Sequence, residues 1–101
     1  MLQPYGLTTE RYELLLAIKA ADNDERATVS ELTSVLGVAQ SSVTQLVRRA
    51  EDAGLVRREV SATDARVHYL RVSPQGERQL GRAVAALHEE RTRLAEIVSQ
   101  L

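Results

Sequence analysis

Three breakers divide this sequence into pieces that few folds can accommodate. Gly37 and Gly54 bracket one stretch of helix length, and Ser73-Pro74 opens another that meets no further proline before Leu101. A glycine after a periodic apolar run is where a helix can turn left-handed and stop. A proline preceded by serine suits the first turn of a helix and little else. The spacing therefore predicts a helix over about 40–53 and a last helix from Pro74 to about Ser99. Between Gly54 and Ser73 the helical period is lost. Leu70 and Val72 alternate with Arg71, as in a half-buried strand. Two β segments are predicted over 56–61 and 66–72, joined by Ala62-Thr63-Asp64.

The part before Gly37 reads as two more helices. In Leu7-Thr8-Thr9-Glu10 a threonine can cap the free N–H groups, and Glu10 suits the positive end. Leu14, Leu15, Ile18 and Ala21 then recur at helical spacing. Asp22-Asn23-Asp24-Glu25 is a polar turn. It fails as a calcium loop, because Arg26 stands where an oxygen ligand is needed and no glycine follows. Ser30 is expected to cap a short helix burying Leu32, Val35 and Leu36. The fold class is thus mainly α with a small β-hairpin: helix, short helix, tight turn, longer helix, hairpin, long helix. The segment 30–53 has helix-turn-helix proportions, and the hairpin makes it a winged version. Residues 1–73 form the winged unit, and residues 74–101 a C-terminal helix.

With 101 residues and 44% hydrophobic content the chain makes one domain. It has no Phe, Trp or Cys, so aliphatic side chains must build its core. The missing cysteine excludes disulfides, thiolate metal sites and thiol nucleophiles, and suits a reducing, cytoplasmic setting. MLQPYGLTTE lacks the basic start and apolar run of a secretory leader. The longest apolar run, Leu14 to Ile18, is far short of a membrane span. His68 and His88 have no nucleophile or acid pair grouped around them, so neither an enzyme nor a metal or other cofactor is expected.

The formal net charge of −1 hides a gradient. Residues 1–36 carry a balance of −3, residues 37–72 of +2, and residues 73–101 of zero. The basic middle is where an anionic partner would dock. Placed at 100° per residue, Val43, Leu46, Val47 and Ala50 fall on one face of the 40–53 helix. Ser41, Thr44, Gln45 and Arg48 fall on the other. This second face is small or amide-bearing at its start and cationic further on, the arrangement that a helix in a DNA major groove needs. Gln40 and Gln45 can read adenine, and Arg48 guanine or a phosphate. Ser41, Ser42 and Thr44 are small enough to approach base edges. Arg49, Arg57 and Arg58 suit phosphate contacts, which position without specifying. Ala39, where the helix cap should stand, costs about 1 kcal/mol against serine.

The run EDAGLVRREVSATDARVHYLRVSPQG resembles the MarR family of winged helix-turn-helix transcription regulators. Glu51, Gly54, Leu55 and Val56 match the family's pattern at the end of its recognition helix. Asp64 and Arg66 match its Asp-x-Arg wing element, and Val72, Ser73, Pro74 and Gly76 the close. The resemblance covers about residues 7–80. It implies a bacterial, cytoplasmic regulator that binds double-stranded DNA, with helix 40–53 in the major groove and a wing at 61–66. It also implies that Arg66 reaches the minor groove while Asp64 holds the wing by pairing with an arginine. The chain departs from the pattern at Thr33, where a smaller residue is usual, and in carrying one wing arginine rather than two. MLQPYG offers no counterpart to the family's extra N-terminal helix, which argues against a small-molecule effector.

In the last helix Leu80, Val84, Leu87, Arg91, Leu94, Val98 and Leu101 are spaced alternately by four and three residues. This is an a/d seam of three heptads. About 25 helical residues span roughly 38 Å, more than so small a domain can cover. A homodimer is expected, with Arg91 setting register by pairing with Glu89, Glu90 or Glu96 of the partner subunit. Two other readings compete: a winged helix used for protein binding, and a PadR-like regulator.

Overall fold

The computed structural model describes residues 7–101. The reading of MLQPYG as lacking a leader and an extra helix lies outside the described residues. Four helices and three short strands follow in the order α1 (Thr9–Lys19), β1 (Arg26–Ala27), α2 (Val29–Leu36), α3 (Gln40–Asp52), β2 (Val56–Val60), β3 (His68–Val72) and α4 (Pro74–Ser99). This is the winged architecture expected, with one strand more.

Local chemistry sets most of the boundaries. Thr8 starts α1, its hydroxyl accepting from the Arg11 backbone N–H at 3.2 Å. Thr28, not Ser30, caps α2. Its hydroxyl accepts from the Glu31 N–H while the Glu31 carboxylate accepts from the Thr28 N–H, a reciprocal capping box. Gly37 ends α2 at φ +69°. α3 stops in a Schellman arrangement: Gly54 takes φ +77° and donates to the Glu51 carbonyl, and Leu55 donates to the Ala50 carbonyl. Ser73 caps α4 by accepting from the Gly76 N–H at 3.0 Å.

The sheet runs in the order β1-β3-β2, all antiparallel, with Ala27 opposite Leu70 and Val56 opposite Val72. The expected hairpin is shorter than its sequence suggests. The strands stop at Val60 and resume at His68 because side chains take over the backbone donors of the tip. The Ser61 hydroxyl accepts from the Thr63 N–H, and Asp64 Oδ1 accepts from the Arg66 N–H.

One aliphatic core joins these layers. Leu14, Leu15 and Ile18 of α1 meet Leu32 of α2, Val43, Val47 and Ala50 of α3, and Leu55, Leu70 and Val72 from the sheet side. Val35, expected on the buried side of α2, is 70% exposed. α2 is a two-turn helix that buries a narrow stripe, and Leu32 with the half-buried Leu36 fills it. The outer face of the sheet carries Arg26, Arg71 and Arg57 in one row across three strands. Such like-charge neighbours repel, and Glu59 offsets this by bonding both Arg26 and Arg71 at 2.8 Å. Arg26 also lies 4.3 Å over the Tyr69 ring.

α4 enters the core only at its start, through Gly76, Leu80 and Ala83. From Arg91 onward every residue is exposed. The helix thus extends away from the winged part, and the long axis of the molecule reaches 58 Å against 25 and 23 Å in the other directions.

Candidate nucleic-acid interface

α3 owes its position to its apolar side. Val43, Val47 and Ala50 are fully buried and Leu46 half-buried, which turns the opposite side outward. Gln40, Ser41, Gln45 and Arg48 are exposed there, with Thr44 half-buried at the edge. Asp52 lies on the same strip one turn beyond Arg48, also exposed, and bounds the cationic part. Ser42 and Arg49 sit on the flank. They line a groove with a cavity of about 430 Å³ whose other walls include Arg11, Glu13, Val38 and Leu46. Arg11 was not singled out in the sequence: it stands in α1, far from the basic middle, and only the packing of α1 against α3 brings it onto the same groove as Arg49.

Ala39 leaves α3 without a side-chain cap, and neither Ser41 nor Ser42 supplies one. Ala39 itself has the extended conformation of an N-cap, φ −61° and ψ 145°. The geometry is that of a cap whose oxygen is missing.

The basic residues divide into two sets. Arg48, Arg49 and Arg57 make no ion pair among the described residues, nor does Arg11. Arg58, Arg66 and Arg71 each grip a carboxylate. Arg66 stands at the wing tip with its side chain 91% exposed, bonded to Asp64 through Nε at 3.1 Å and Nη2 at 3.2 Å. These bonds and the Arg66 backbone N–H hold the Asp64 carboxyl below the usual aspartate range. Arg58, expected as a phosphate contact, is tied to Glu51 of α3 through Nε at 2.9 Å and Nη2 at 3.0 Å. Arg71 is held by Glu59 and by both the carbonyl and the carboxylate of Asp24.

The residues expected at a dimer seam part company along α4. Leu80 is buried in the winged unit's own core and Leu87 is half-buried. Val84, Arg91, Leu94, Val98 and Leu101 are exposed, with Leu94 at 56% and Val98 at 65%. Ile97, outside the heptad pattern, joins this stripe at 51%. Among the described residues no three His, Asp or Glu side chains gather as a metal site. No described helix is long and apolar enough to cross a membrane.

Known structures share this fold. A mutant of S. aureus MepR superposes with a TM-score of 0.86 at 24% identity, covering 99% of this chain and 70% of that one. A second MepR mutant, bound to an oligodeoxyribonucleotide, gives 0.83 at 25% identity with the same coverages. AbsC, a MarR family transcriptional regulator from Streptomyces coelicolor, gives 0.75 at 30% identity, covering 99% of this chain and 66% of AbsC. The chain thus spans about two thirds of the length of these structures. A search of curated proteins finds no match. The MarR family model matches residues 5–67, the stretch that holds α1 to α3, the first two strands and the wing tip. A winged helix of this topology, matched over more than half its length by the family's own model, belongs to the MarR family.

Proposed function

We propose that this protein is a transcription regulator that binds double-stranded DNA in a sequence-specific manner as a homodimer, in the bacterial cytoplasm. α3 enters the major groove and the wing tip, residues 61–66, lies at the minor groove. The observation that carries this reading is the outward strip of α3. Short and amide side chains at Gln40, Ser41, Thr44 and Gln45 lead to Arg48, and an almost fully exposed Arg66 stands on the neighbouring wing. Base edges are read by such side chains, and a narrow minor groove attracts a guanidinium. The MepR mutant bound to an oligodeoxyribonucleotide supports the reading by likeness of fold. No reaction is assigned to the protein.

The homodimer rests on a separate observation. Val84, Leu94, Ile97, Val98 and Leu101 leave an apolar stripe in water along a helix that outruns its own domain. A two-fold pair would place two α3 helices about 34–36 Å apart, one turn of DNA.

Fluorescence anisotropy with labelled duplex DNA, across a salt series, tests the reading. Affinity should fall steeply with salt, and Arg48→Ala and Arg66→Ala should each weaken binding by roughly tenfold, on the order of 1–3 kcal/mol. Absence of binding at low salt would instead leave a protein-interaction module.

A further inference from the structure

We infer that Glu51 is a positioning residue for DNA binding: it collars Arg58 so that the free edge of the guanidinium is presented to a phosphate. The inference rests on the DNA-binding reading and adds to it a residue which that reading leaves unassigned.

The arginines in and beside the hairpin offer an internal comparison. A guanidinium has five N–H donors in a fixed plane. Arg71 is held on both sides: Glu59 takes its Nε edge, and Asp24 takes Nη1 through its carbonyl and Nη2 through its carboxylate. Its terminal edge, the one that would fork onto a phosphate, is already occupied. Arg58 and Arg66 are built differently. Each gives only its Nε and one Nη2 hydrogen to a carboxylate, Glu51 for Arg58 and Asp64 for Arg66. Each therefore keeps three donors, including both on Nη1, along its terminal edge. That edge is the one that meets a phosphate in a fork of two parallel bonds. The arrangement at Arg66, expected from the family resemblance, thus recurs at Arg58 with a carboxylate from another element.

The origin of Glu51 gives the collar its use. It stands in the last turn of α3, the helix that presents Ser41, Gln45 and Arg48, while Arg58 stands on β2, the strand that leads to the wing tip. Glu51 keeps 24% of its side chain exposed against 45% for Arg58, so the arginine is the more accessible member of the pair. The pair therefore fixes a phosphate contact on the wing side of α3 at a set distance from the base-reading strip. A loose arginine would have to give up side-chain freedom on binding, and a collared one has already done so.

Two accounts of Glu51 predict opposite signs. If it acted only as a negative charge near DNA, its removal would tighten binding. If it positions Arg58, its removal weakens binding. The test uses the full chain and a labelled mixed-sequence duplex of about 24 base pairs, long enough for two half-sites one turn apart. Anisotropy titrations at several salt concentrations compare wild type with Glu51→Ala, Glu51→Gln, Arg58→Ala and the double variant Glu51→Ala/Arg58→Ala. Thermal unfolding confirms that each variant is folded, and isosteric Glu51→Gln serves if the alanine variant is not. Arg58→Ala should weaken binding and reduce the salt slope by about one. Glu51→Ala should weaken binding roughly three- to tenfold at fixed salt, with Glu51→Gln between it and wild type. In the Arg58→Ala background the Glu51 change should have no weakening effect. Tighter or unchanged binding by Glu51→Ala, or equal weakening in both backgrounds, overturns the inference while DNA binding stands. Failure of wild type to bind the duplex even at low salt overturns both.

Discussion

Single residues decide how closely the elements of this fold can approach. Gly76 is the tightest case. A Cβ there would lie on the Leu55 carbonyl oxygen and 2.8 Å from Val72 Cγ1, and neither the backbone nor a buried valine can move aside cheaply. Gly37 is the opposite case: open space surrounds it, and only its φ of +69° asks for glycine. Gly76→Ala should therefore cost about 1–3 kcal/mol or more as overpacking, and Gly37→Ala about 1 kcal/mol as backbone strain. Chemical denaturation of the two variants measures the difference, and equal losses would refute the steric account. The need for Gly37 was legible in the sequence, since a glycine after Leu36 marks a helix stop. The need for Gly76 was legible only as a pattern. Its physical cause is a carbonyl twenty-one residues earlier in the chain. The partner of Arg58 was hidden at only seven residues' separation, because nothing in RREV says that Glu51 folds back beside it.

At the scale of elements, hydrogen-bonding caps explain most of what could be read in advance. Thr8, Gly54 and Ser73 mark boundaries by local chemistry, and the structure places them where that chemistry requires. Ser30 was the wrong cap for α2 because two hydroxyls compete there. Thr28 prevails since only it has a glutamate three residues on to close the box. β1 was not legible at all: two residues make no pattern, and Arg26-Ala27 is a strand only because β3 offers an edge. α3 supplies a prediction. Ala39 already has N-cap dihedrals but no oxygen, so Ala39→Ser should add about 1 kcal/mol. For a domain this size that raises Tm by about 4–8 °C. Circular dichroism melts at a fixed protein concentration check it. The sheet's outer face supplies another. Arg71 and Arg26 hold the Glu59 carboxyl below the usual glutamate range. A carboxyl whose pKa is lowered by folding contributes stability that is present above its unfolded value, about 4.3, and lost as pH falls through the lowered folded value. Melts should therefore show a loss of Tm below about pH 4, and Glu59→Gln should reduce stability at pH 7 while flattening that acid limb.

The molecule as a whole is a winged unit with a helix that outreaches it. Heptad spacing announced the apolar stripe of α4 but could not divide it. Leu80 serves the chain's own core, while Leu94 and Val98 stand in water. One helical face does both because α4 leaves the domain part-way along its length. If the outer stretch joins two copies, Leu94→Asp should yield monomers, read as a halved mass by light scattering after size exclusion. Arg91→Leu removes the polar break in the stripe and should tighten the dimer or change its stoichiometry. An unaltered mass for Leu94→Asp at micromolar concentration would place the interface elsewhere. DNA binding should weaken along with dimerisation, because half-site affinities combine only when both sites are held together.

The junction at Gly54-Leu55 has a mechanical consequence. Leu55 donates to the end of α3, its carbonyl accepts from the Ser73 N–H that opens α4, and Gly76 is wedged against that same carbonyl. The Ser73 hydroxyl donates to the Gly54 carbonyl beside it. The two helices are thus riveted at one point, and Leu80 and Ala83 pin α4 to the core beyond it, so the stretch after Ala83 is a lever of about 24 Å. A tilt of only about 10° at its base would swing the far end by roughly 4 Å. If two copies join at the levers' far ends, that joint and the span between the two α3 helices should be geared together, so that a change in one turns the other.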